Sequence, residues 1–93
     1  MQSLLFIRVV KETGLASIIA EGIVRRACIR AGVKDPERMV RLDLQKAIPS
    51  IEPMLALFLS PVEVSERMPR IIALSRTSSG PYTFNLADPA LDD

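Results

Sequence analysis

A chain of 93 residues fits one domain, and a domain of this size buries roughly 60–65% of its unfolded surface, enough for one small core. Apolar residues make up 48% of it, yet there are only three Phe, one Tyr and no Trp, so the core must be aliphatic. The net charge of +1 excludes a strong bulk electrostatic preference for any partner, and the lack of histidine removes serine–histidine and cysteine–histidine catalysis together with the commonest neutral metal ligand.

The pattern along the chain is helical. Ser3 is placed to cap a helix over Leu4–Thr13, with Gly14 as its stop. The run Leu4–Val10 is rich in β-branched residues and also suits a buried strand, but helix is favoured because Lys11-Glu12-Thr13-Gly14 continues as a helix ending would. A second helix runs from Ala16 or Ser17 to Ala31, with Gly32 as its stop. Ile19, Ile23, Ala27 and Ala31 recur at spacings of four, with Ala20, Val24 and Cys28 as the neighbouring row. Glu21 and Arg25 are four apart in the favourable order. Gly22, inside this helix, is read as a point where another helix comes close.

Asp35-Pro36-Glu37-Arg38 predicts the start of a third helix, with Asp35 as cap and Pro36 in the first turn. It is expected to end at Ile48, because Pro49 disfavours a helical residue before it. Met54–Leu59 is apolar on every side, which predicts a central helix with Leu55, Leu57, Phe58 and Leu59 buried. Ser60-Pro61-Val62-Glu63 has the form of a capping box with proline at the first helical position, opening a helix to about Arg76 that Pro69 kinks or restarts. Thr77–Pro81 reads as a linker or turn. Tyr82–Leu86 alternates like a strand, and Ala87–Asp93 is an acidic end.

The expected fold is therefore all-α: four or five short helices in residues 1–76, and a linker and tail in residues 77–93 docked on the outside. The alternative is α+β, with strands near residues 4–10 and 82–86 paired.

Few residues suggest chemistry. The glycines are too dispersed for a phosphate loop, the lone Cys28 reads as a core filler, and no spacing suggests a metal site or cofactor. Two surfaces remain. The basic residues Arg25, Arg26, Arg30, Lys34, Arg38 and Arg41 suit phosphate contact, but Glu21, Asp35, Glu37 and Asp43 interrupt them, which favours a solvated, salt-bridged face. The apolar residues Leu5, Phe6 and Val9, and Tyr82, Phe84 and Leu86 in the tail, are candidate contacts for a protein partner or a second copy. The expectation is a non-enzymatic interaction domain, oligomeric or an accessory subunit, with a helical nucleic-acid-binding domain as the alternative. With one thiol, no basic leader and no apolar run of about 20 residues, the chain reads as cytoplasmic and without a membrane span.

Overall fold

Ser3 is the first residue to do structural work. The computed structural model of this protein describes residues 2–76. At its start the Ser3 Oγ accepts a hydrogen bond from the Phe6 N–H (3.1 Å) and so caps α1, Leu4–Glu12. The same hydroxyl donates to the Met39 carbonyl (3.2 Å), and the Ser3 N–H donates to the Glu37 carbonyl (2.7 Å). The cap thus also ties the N-terminus to a distant loop. Leu5, Phe6, Val9 and Val10 are buried, a spacing of one helical face, which settles this stretch as helix. At the far end, fully buried Thr13 donates its hydroxyl to the Val10 carbonyl (2.7 Å) and accepts from the Leu15 N–H (3.2 Å). Gly14 follows at φ +74°, as the helix stop requires.

Helix α2, Ser17–Arg30, buries Ala20, Ile23, Val24, Ala27 and Cys28. Its end is a Schellman turn. Gly32, at φ +88°, donates to the Ile29 carbonyl (3.0 Å), and Val33 donates to the Cys28 carbonyl (2.9 Å) while its side chain enters the core. The expectation for Gly22 fails: a Cβ built there meets no atom within 4 Å. At about 100° per residue, Gly22 lies about 200° round from buried Ala20, so it faces away from the bundle.

Asp35-Pro36 does not open a long helix. Pro36–Arg38 is a single 3-10 turn, and the Asp35 side chain does not cap it. The chain then extends through Met39 and Val40, which drops the Met39 side chain into the core at 1% exposure. Helix α3 begins afresh at Arg41, where the Asp43 carboxylate accepts from the Val40 N–H (3.0 Å). It then runs unbroken to Leu55, through both Pro49 and Pro53. The boundary expected at Ile48 is absent. Both prolines lie on the exposed side, so the carbonyls that lose a partner, on Gln45 and Pro49, come from exposed residues that water can serve. The opposite face, Leu44, Ala47, Ile51 and Leu55, is fully buried and holds the helix together.

The central helix expected over Met54–Leu59 is likewise corrected. Helix α3 stops at Leu55, and Ala56–Leu59 form a turn. Helix α4, Pro61–Arg76, starts from the foreseen capping box: the Ser60 N–H donates to Glu63 Oε1 (3.0 Å) and the Glu63 N–H to Ser60 Oγ (3.2 Å). It passes through exposed Pro69 without restarting and buries Val64, Met68, Ile71 and Ser75.

Among the described residues there are four α-helices and no strand, an all-α bundle. Helix α3 packs between α2 and α4, and α1 closes the other side against α2, α4 and the 3-10 turn. The contacts define two poles. One holds the start of α1, the end of α2, the 3-10 turn, the start of α3 and the end of α4. Ser3–Glu37 and Ser3–Met39 join its parts, as do Gln45 Nε2 to the Ser75 carbonyl (3.0 Å) and Arg41 Nη1 to the Arg76 carbonyl (3.4 Å). The other pole holds the α3–α4 turn. Tyr82–Leu86 and the acidic end fall outside the described residues, and so does the strand pairing that depended on them.

Candidate functional site

The α3–α4 turn combines an apolar surface with a recess. As α3 ends, the Phe58 N–H donates to the Leu55 carbonyl (2.9 Å), and so does the Leu59 N–H (2.8 Å). This tight closure turns Leu57 and Phe58 outward, at 78% and 54% exposure, while Leu59 leans back on the core. Pro61, fixed in the first turn of α4, leaves Val62 outside at 66%. Beside these three lies a groove of about 500 Å³ between the end of α3 and the start of α4. Pro53, Ala56, Leu59, Pro61, Val64 and Met68 form its apolar wall, with Glu52 and Ser65 as the polar members. An open groove lined this way takes an apolar side chain better than a polar one.

The capping box leaves a charge at this pole. The Glu63 carboxyl lies below its ordinary range, chiefly because the Ser60 N–H donates to it, with the Ser60 hydroxyl next in effect.

The arginines of the expected basic face have separate fates. Arg25 is an internal tie: Nε donates to Glu37 Oε2 (2.6 Å), Nη2 donates to Glu21 Oε1 (3.0 Å), and the guanidinium lies 5.9 Å from the centre of the Phe6 ring. The Glu37 hydrogen bond is the main reason its pKa is raised. Arg38 pairs with Asp35 at 3.6 Å, and Arg41 reaches the last carbonyl of α4. Arg26, Arg30 and Lys34 are exposed, and Arg26 and Arg30 lie about 100° and 140° round α2 from Arg25. The structure therefore does not gather the six into one patch. Of the six, only Arg41 is placed against the end of α4.

Cys28 is fully buried. Burial, with the nearby Asp43 charge second, pushes its thiol up to about 11, so at neutral pH it is an unreactive thiol in the core. Among the described residues no group of three or more His, Cys, Asp or Glu side chains is placed to hold a metal ion, and no helix is long and apolar enough to cross a membrane.

The expected partner surface on α1 is corrected. Leu5 is 7% exposed, and Phe6 and Val9 are fully enclosed by their own chain, so they are core and not left over from it. Tyr82, Phe84 and Leu86 lie outside the described residues. Leu57, Phe58 and Val62 were missed as surface residues. For Leu57 and Phe58 part of the signal was in the chain: a cap at Ser60 marks a break between helices there, without saying how many residues before it leave the helix. Comparison with protein-family models finds no match, and comparisons with curated proteins and with solved structures find none.

Proposed function

We propose that this chain is a non-enzymatic protein-interaction domain that associates with a second copy of itself through the α3–α4 turn. One observation supports the reading: Leu57 and Phe58 are exposed in the turn whose flanking residues Ala56, Leu59 and Pro61 line an apolar groove. A two-fold dimer needs a self-complementary patch, one carrying both the projection and the recess that receives it. Phe58 of one copy, seated between Pro53, Leu59 and Met68 of another, leaves the reciprocal contact intact. An exposed aromatic next to an apolar groove with Glu52 in its wall also has the make-up of an interface.

Nucleic-acid binding through the arginines has less support. Arg25 is committed to Glu21, Glu37 and Phe6, and Arg38 to Asp35. Sedimentation equilibrium of the full chain tests the proposal. The expected result is a reversible dimer for the natural sequence and a monomer of unchanged helical content for Phe58→Glu. A chain that stays monomeric up to about 100 µM overturns it. So does a Phe58→Glu variant that associates as the natural chain does.

A further inference from the structure

We infer that the outer face of α2 is a second self-association surface, on which α2 of another copy lies antiparallel, Ile18 of each chain against Ile29 of the other. The surface is separate from the α3–α4 turn, and neither proposal depends on the other.

The first argument is what α2 leaves outside. Its buried side chains, Ala20, Ile23, Val24, Ala27 and Cys28, share one face. At about 100° per residue, Ile18, Gly22 and Ile29 fall within about 40° of one another on the opposite face. Ile18 is 88% exposed, more than any other large apolar side chain among the described residues, and Ile29 is 64% exposed. Two isoleucines three turns apart on the outer side of a short helix are apolar surface that the bundle itself does not use.

Gly22 is the second argument. A glycine weakens a helix interior relative to alanine. The backbone does not require one here, because Gly22 is helical and its φ is not positive. Packing among the described residues does not require one either, because a Cβ there meets no atom within 4 Å. A second helix laid across this face does require it. A notch between two isoleucines lets the two axes approach more closely than a side chain would.

Register and charge supply the third argument. A two-fold axis brings the same face of each copy together. Antiparallel pairing centred between Ile23 and Val24 sets Ile18 opposite Ile29, Glu21 opposite Arg26, and Gly22 opposite Arg25. One register thus joins the isoleucines and gives the aliphatic stem of Arg25 the notch to lie in. Arg26 is exposed and has no carboxylate within 4 Å among the described residues. Opposite it, Glu21 and Glu37 share the single guanidinium of Arg25, so that cluster keeps one negative charge in excess. Parallel pairing instead sets Arg26 against Arg26 and Arg30 against Arg30, which like charge opposes.

One helix face against its copy falls short of the about 1,200 Å² that a stable complex buries, so this contact is weak and forms at high concentration.

Disulfide exchange between two full-length variants, Ile18→Cys and Ile29→Cys, tests the inference in a glutathione buffer at about 1 mM chain. Buried Cys28, its thiol pushed up to about 11, stays out of the exchange. The expected result is a mixed 18–29 disulfide favoured at least about threefold over random pairing, because only that pair is held close. Adding Gly22→Leu to both chains should return the products to random proportions. Helical content should stay unchanged, since leucine forms helix better than glycine and its side chain meets open space. Random proportions without Gly22→Leu overturn the inference, and so does an excess of 18–18 or 29–29 pairs. A mixed excess that survives Gly22→Leu overturns it too. An excess lost when Phe58→Glu is added to both chains overturns it by placing the contact within the assembly at the turn. If Phe58→Glu chains still associate as the natural chain does but show the mixed excess, the turn reading fails and this one stands.

Discussion

Leu55 and Leu57 are two positions apart, and the end of α3 divides them: Leu55 is fully enclosed and Leu57 is 78% exposed. Leu55 closes the buried row Leu44–Ala47–Ile51, whereas Leu57 lies in the turn that follows. Leu55→Ala should cost about 2–5 kcal/mol, the range for emptying an aliphatic core site, and Leu57→Ala no more than about 0.5 kcal/mol. Urea denaturation at low protein concentration measures both, because dilution removes any contribution from association. Equal losses would place both residues in one helix and contradict the turn.

Glycine gives a second pair with opposite signs. Gly14 has φ +74°, and a Cβ there would lie 2.9 Å from the Arg67 guanidinium carbon. Arg67 is flexible enough to shift, so the backbone sets the effect, and Gly14→Ala should destabilise by about 1–2 kcal/mol. Gly22 is helical and its missing Cβ faces open space, so Gly22→Ala should stabilise by about 1 kcal/mol. Thermal melts of the two variants should move in opposite directions. A loss of stability in Gly22→Ala would reveal a close neighbour on the outer face of α2.

The legible parts of the fold were those decided by neighbours in sequence. Ser3 as a cap, Gly14 and Gly32 as stops, and the Ser60–Glu63 box all depend on groups within a few residues, and all hold. The choice of helix over strand for Leu4–Val10 also held, because the continuation Lys11–Glu12 keeps the helical register to Gly14. What failed depends on the rest of the molecule. A proline within a helix costs less where water can reach the carbonyl it orphans, and the sequence around Pro49 and Pro53 does not say which way α3 faces. Likewise Asp35-Pro36 has local helix-start chemistry, but the burial of Met39 draws the chain out of helix three residues later. The candidate site was half legible. The break at Ser60 was readable in the chain, whereas the groove forms where the end of α3 meets the start of α4, a tertiary matter.

The Ser60–Glu63 box should show in the acid limb of stability. Hydrogen bonds from Ser60 lower the Glu63 pKa from its ordinary 4.5. A carboxyl depressed in the folded state contributes stability fully above its unfolded pKa and loses it as pH falls through the folded value. The melting temperature of the natural chain should therefore exceed that of Glu63→Gln at neutral pH, and the gap should close as the medium is taken below pH 4.5. Ser60→Ala should cost about 1 kcal/mol at neutral pH by removing the cap itself. A gap between Glu63→Gln and the natural chain that persists undiminished at pH 3 would show that the carboxylate is not what the box holds.

Arg25, Arg26 and Arg30 are spaced as one basic run, yet the structure gives them different work, and single substitutions should separate them. Arg25→Gln loses two carboxylate partners, Glu21 and Glu37, and the cation over Phe6, and with Glu37 it loosens the 3-10 turn to which Ser3 is bound. Arg26→Gln and Arg30→Gln remove exposed charge and should change the melting temperature little. Arg25→Gln should therefore lower it most, although all three remove one positive charge. Binding to nucleic acid ranks them differently: each lost phosphate contact lowers affinity and reduces the salt slope by about one, regardless of fold stability. Since mixed charge leaves this face little net attraction, duplex DNA should show no selective binding at physiological salt. A tight complex whose salt slope falls with Arg26→Gln and Arg30→Gln would make the arginines a nucleic-acid surface after all.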